Sequence, residues 1–173
     1  MIVIGFDPSM CNWGYAVANV TDKVTPIALG VITVTGEGRS TTEQYINHAA
    51  KLFAGVIDVL SKYSIKTIIA ETPTGSQSFA SAKSYALVNG LLGVLTTQGF
   101  NVILVKPNDL KNTVGNRTAT KVDMVNWVIQ KYPNIALPKY NGKVVLSKAE
   151  HMCDALIAIH TAINLNLFGK PQS

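Results

Sequence analysis

The order of apolar runs constrains this chain more than any other feature. Three strand-like stretches crowd the first 34 residues (2–7, 14–20 and 27–34), joined only by a short turn and a polar connection around residues 22–26. Consecutive strands with short connections pair antiparallel. After a polar loop at 36–42 the pattern changes. Residues 43–62 place Ile46, Ala49, Ala50, Phe53, Ile57 and Leu60 at helical spacing. A short buried strand, 66–70, ends at Glu71, and a polar loop at 72–78 leads into a predicted helix over 79–98. A fifth strand is expected at 101–105, a helix at 118–131, an irregular loop at 132–147 around Pro133, Pro138 and Gly142, and a last helix at 148–168. The order βββαβαβαα predicts an α/β domain spanning residues 1–173. Strands joined through helices form the parallel part of one mixed sheet.

Bulk properties narrow the class. The chain has 173 residues, 47% hydrophobic and 14% charged, enough to bury a core and unlike a disordered segment. No apolar run approaches the roughly 18 residues a membrane span needs. The first apolar run lacks a preceding basic segment, so no signal peptide is expected. Cys11 and Cys153 lack metal-type spacing and read as free thiols, which suits the cytoplasm. The net charge of +5 is uneven. Residues 106–148 hold eight Lys/Arg against Asp109 and Asp123, while the remainder has seven basic and eight acidic residues. Such a segment suits a polyanion, nucleic acid first, or a solvated lysine-rich surface; charge alone does not choose.

Three acids do choose. Asp7 ends the first strand and Glu71 follows the fourth. If those strands are parallel neighbours, both carboxylates lie at their carboxyl ends, where open α/β sheets bind ligands. Two such charges resist joint ionisation unless a cation sits between them. The last helix opens SKAEHMCDALIAIH, placing Glu150, His151 and Asp154 at three- and four-residue spacings on one face. Oxygen and nitrogen donors of this kind suit Mg²⁺ or Mn²⁺, and two ions about 4 Å apart catalyse phosphodiester hydrolysis.

Each residue also has a structural explanation. Asp7 could cap the turn at Pro8 and Ser9. Glu71 could be a surface loop acid. Ser147 and Glu150 form an S-x-x-E capping box, and His151 could be a satisfied polar group near a helix start. Asp154 resists this treatment, because a carboxylate within MCDALIAI is costly to bury without a partner.

Together these residues resemble the RuvC-type Holliday-junction resolvases. IGFDPSMCNWGYAV resembles the family's GIDPG opening and the TGYGV-like strand after it. IIAE, ending at Glu71, is similar to its IxxE strand, and HMCDALIAIH to its D/H-x-x-D-A-L-A-I-A helix. Within DLKNTVGNRTATKVDM, Lys111 and Lys121 match two lysines that lie near the scissile phosphate in the family. Ser9 and Met10 replace a glycine and a small polar residue, one residue is missing between the lysines, and His151 stands where an acid is commoner. The compact chain and divergent motifs suit a viral or phage member as well as a cellular one.

The resemblance implies an RNase H-like fold: a five-stranded mixed sheet, three antiparallel strands then two parallel, with helices on both faces. It implies a metal-dependent endonuclease for four-way DNA junctions, leaving 5′-phosphate and 3′-hydroxyl ends and working as a homodimer. Asp7, Glu71, His151 and Asp154 would hold two Mg²⁺ or Mn²⁺ ions, with Glu150 as a further ligand or supporting residue. Lys111 and Lys121 would stabilise charge at the phosphate. Lys106, Lys111, Arg117 and Lys121 would contact DNA. Phe79, with Lys83 nearby, is the candidate to stack at the junction centre, with Tyr85 second. Two alternatives remain at this stage: a nuclease for flaps, forks or RNA–DNA hybrids, and a branched-DNA-binding module that does not cut.

Overall fold

A computed structural model describes all residues except 36, 37, 39, 73–77 and 170–173. Most of the predicted 72–78 loop, and part of the 36–42 loop, therefore lie outside the described residues. Strands β1 (Ile2–Asp7), β2 (Asn12–Val20) and β3 (Val24–Thr33) are followed by helix α1 (Thr41–Lys62), β4 (Thr67–Glu71), α2 (Phe79–Thr97) and β5 (Asn101–Val105). Then come α3 (Pro107–Val114), α4 (Lys121–Lys131), a minimal hairpin of β6 (Lys139–Tyr140) and β7 (Lys143–Val144), and α5 (Leu146–Asn164). The main sheet has the order β3-β2-β1-β4-β5. β1 is antiparallel to β2 and parallel to β4, which is parallel to β5. Among the described residues no helix is long and apolar enough to cross a membrane.

Strand alternation divides the core into two layers. Ile4, Phe6, Val17, Ile68 and Ala70 pack with α1 and α2 on one face, while Val3, Ala16, Ala18 and Ile69 pack with α3, α4 and α5 on the other. α5 lies between the sheet and the outer helices, so its buried residues run almost without break from Met152 to Ala162. Two glycines bring it unusually close. A Cβ on Gly5 of β1 would lie 1.9 Å from the Ala155 carbonyl oxygen, and one on Gly14 of β2 would lie 2.2 Å from that of His151. Only bare backbone fits under this stretch of α5.

Three expectations change. Residues 107–114 form a helix that was not predicted. Pro107 fits its first turn, and Asp109 accepts a bond from the Lys106 amide at 3.2 Å. α1 buries His48, Leu52, Val56, Val59 and Leu60, leaving Ile46 62% exposed, so its inner face is rotated from the one predicted. The expected irregular loop at 132–147 contains the β6–β7 hairpin and the first two residues of α5.

Candidate active site

The pairing of Phe6 with Ala70 across β1 and β4 brings the next residues, Asp7 and Glu71, to the carboxyl edge side by side. Both share strand parity with residues facing α5, and the glycine contacts seat the first half of that helix directly above. His151 Nδ1 lies 2.6 Å from Asp7 Oδ2, a contact between residues 144 positions apart. The turn beyond Asp7 is held by Ser9, whose hydroxyl donates to the Asn12 carbonyl at 2.7 Å and accepts the Asn12 amide at 3.0 Å. The capping role considered for Asp7 belongs to Ser9.

The capping box considered for Ser147 and Glu150 is also absent. α5 begins two residues earlier, with Val145 at its N-cap and no side-chain cap bond. Glu150 instead accepts a 2.9 Å hydrogen bond from Lys121 Nζ. Glu71, Asp154, Lys111 and Lys121 line one cleft of about 360 Å³, together with Pro107, Leu110, Ala119, Thr120 and Met124. The basic segment therefore places two lysines over acids contributed by the sheet and α5.

The remaining predicted DNA-contacting residues lie outside that lining. Lys106 is exposed at the N-cap of α3. Arg117 Nε donates to Asn112 Oδ1 at 3.2 Å, beside a separate cavity with Asn108. Phe79, 77% exposed, begins α2, and Lys83 Nζ lies 4.6 Å from its ring centroid and 5.3 Å from that of Tyr45. Tyr85 is partly buried on the same helix. Sequence reasoning missed Gly5 and Gly14, although glycine within a strand is a signal for close backbone approach.

Burial and mutual repulsion govern the acids. Burial first, then Asp7, raises the Glu71 carboxyl to about 7, opposed by Lys111. Asp154 is raised to about 8, first by burial and then by Asp7, Glu71 and Glu150, with His151 opposing. The hydrogen bond to Asp7 raises His151 despite the contrary effect of burial. Asp154 Oδ1 is buried without a hydrogen-bond partner. An orphaned buried carboxylate oxygen among acids that resist joint ionisation fits a cation-binding site. Among the described residues, no group of three acid, histidine or cysteine side chains is already arranged as a metal cage. His151 meanwhile spends Nδ1 on Asp7.

Comparison with known proteins identifies the family. The family model described as crossover junction endodeoxyribonuclease RuvC matches residues 3–162. A protein of that name from Treponema denticola is 27% identical, covering 99% of this chain and 90% of the relative. Another from Ehrlichia canis is 24% identical, covering 86% and 91%. The Thermus thermophilus RuvC structure in complex with a Holliday junction substrate shares the fold with a TM-score of 0.69 at 17% identity, covering 94% of this chain and 96% of that one. The chain belongs to the RuvC family of crossover junction endodeoxyribonucleases.

Proposed function

We propose that this chain resolves four-way DNA junctions by divalent-cation-dependent phosphodiester hydrolysis, with Asp7, Glu71, His151 and Asp154 holding the cation. The observation carrying this reading is the cleft lined by Glu71, Asp154, Lys111 and Lys121, with Asp7 beside Glu71 at the same strand edge and bonded to His151. Hard oxygen and imidazole donors suit Mg²⁺ or Mn²⁺, which would activate water and stabilise the leaving oxygen. Lys111 and Lys121 present ammonium groups to the phosphate and counter the charge that grows on its oxygens. Lys106 and Arg117 extend the positive surface along the backbone. Exposed Phe79 supplies a ring for stacking on an unpaired base.

Resolution takes two opposed cuts, so the working unit in this reading is a two-fold homodimer. Exposed small and apolar residues support it: Gly90 and Gly93 of α2 have open space beside them, and Val94 and Leu104 are exposed. The test is cleavage of a labelled four-way junction beside linear duplex and a flap, with Mg²⁺ and with Mn²⁺. Paired symmetric nicks in the junction alone, lost in Asp7→Asn, are expected. Equal cutting of the flap would move the substrate to branched DNA in general. Tight junction binding without cutting under either metal would overturn catalysis.

A further inference from the structure

Lys121 has a long flexible stem, and its side chain is 74% exposed. Its backbone is nevertheless fixed. It is the first residue of α4, whose N-cap Thr120 receives the Asp123 amide while Asp123 accepts from the Thr120 amide and hydroxyl. What remains free is the direction of the ammonium. Glu150 sets that direction with a 2.9 Å bond from a side chain only 15% exposed. Glu150 is not engaged in capping α5, and its Oε1 lies 3.8 Å from His151 Nε2, beyond hydrogen-bond reach. The partly buried, anchored member of the pair holds the mobile one, 29 residues away in sequence.

We propose that Glu150 is a positioning residue that holds the Lys121 ammonium at the mouth of the acidic cleft. This rests on the reading above, in which Lys121 reaches the reacting phosphate. An ion pair this exposed at one end adds little to stability. Its effect falls on placement, where small displacements of a reacting group are expensive in rate.

The test measures single-turnover cleavage of a four-way junction by the full chain, alongside junction Kd and thermal midpoint. Lys121→Ala should slow cleavage by about 10²-fold. Glu150→Ala should slow it by about tenfold, with Kd and midpoint unmoved. Glu150→Gln, whose amide oxygen still accepts from Lys121, should recover most of that loss. The double variant Glu150→Ala/Lys121→Ala should be no slower than Lys121→Ala alone, because the two act as a unit. Multiplying losses in the double variant would overturn the proposal. Restoration of Glu150→Ala by excess divalent cation would overturn it in favour of a ligand role. A slow Lys121→Ala beside an unimpaired Glu150→Ala would sink the positioning role alone. An unimpaired Lys121→Ala would sink the lysine's catalytic role and the positioning role with it.

Discussion

The two ends of α5 carry the same side chain in opposite states. His151, near its start, bonds Asp7 at 2.6 Å and is raised by that bond. His160, nine residues on, lies in an apolar niche with the Trp127 ring edge-on at 5.2 Å. Burial first, then Lys131, lowers it to about 4. Its Nε2 lies 2.7 Å from Tyr132 Oη, which donates its own proton to the Val24 carbonyl at 3.2 Å and so can accept one from the ring. One end of the helix gathers charge that lacks enough compensation. The other end keeps its imidazole uncharged and hydrogen-bonded to Tyr132. A helix with a strained end and a satisfied end divides function from stability.

Asp154→Asn tests the strained end and carries the largest effect. Cleavage should fall by about 10³-fold, since an amide is a poor ligand for a hard cation. Stability should move the other way. The folded values of Asp154 and Glu71, about 8 and about 7, lie above their ordinary values of 3.8 and 4.5. The folded state therefore binds more protons than the unfolded chain between roughly pH 4 and 8, and stability falls as pH rises through that window. With divalent cations removed by chelation, Asp154→Asn should gain about 1–2 kcal/mol at pH 8. Calorimetric melting checks this. An unchanged or lower midpoint would mean that the site end stores no strain.

Gly14→Ala attacks the seating of that same end. Its Cβ would meet the His151 carbonyl at 2.2 Å, and backbone cannot swing aside. Overpacking should cost about 1–3 kcal/mol by chemical denaturation. It should also slow cleavage by displacing His151 from Asp7. Loss of stability with full activity would separate α5 seating from site geometry.

His160→Leu tests the satisfied end. At pH 8 it should cost about 1–2 kcal/mol through the lost Tyr132 bond and ring contact. A histidine lowered from 6.5 to about 4 contributes stability that is present above pH 6.5 and lost as pH falls towards 4. The parent chain should therefore lose its advantage over His160→Leu on acidification, and the two midpoints should converge near pH 5. Parallel curves would show that His160 does not titrate with folding. Junction cleavage at pH 8 should be unaffected.

The candidate site was more legible in the sequence than its supports. Asp7 and Glu71 each interrupt an apolar strand at its carboxyl end, so pattern alone placed them. Asp154 stood out because an apolar helix offers it no local partner. Helix α3 was lost because PNDLKNTV is short and polar, although Pro107 and Asp109 are start signals. The inner face of α1 was misread because alanines and isoleucines satisfy neighbouring helical faces, and only packing against the sheet selects Leu52, Val56 and Val59. The Lys121–Glu150 pair spans 29 residues and two helices, so no local pattern announces it. S-x-x-E at Ser147 gave a plausible but incorrect helix start.

That error leaves the smallest and most selective prediction. If the start of α5 is held by its contacts with β1 and β2 rather than by a cap, Ser147→Ala should change stability by no more than a few tenths of a kcal/mol. Ser40→Ala is the matched control. Ser40 caps α1, accepting the Glu43 amide at 3.2 Å while its own amide donates to Glu43 at 3.2 Å. That substitution should cost about 1 kcal/mol. Urea midpoints measured in parallel decide it. A cost at Ser147 equal to that at Ser40 would restore the capping box and assign Glu150 to the helix start. A null effect at Ser147 beside a real one at Ser40 leaves the first turn of α5 held by the sheet beneath it, with Glu150 free to act on Lys121.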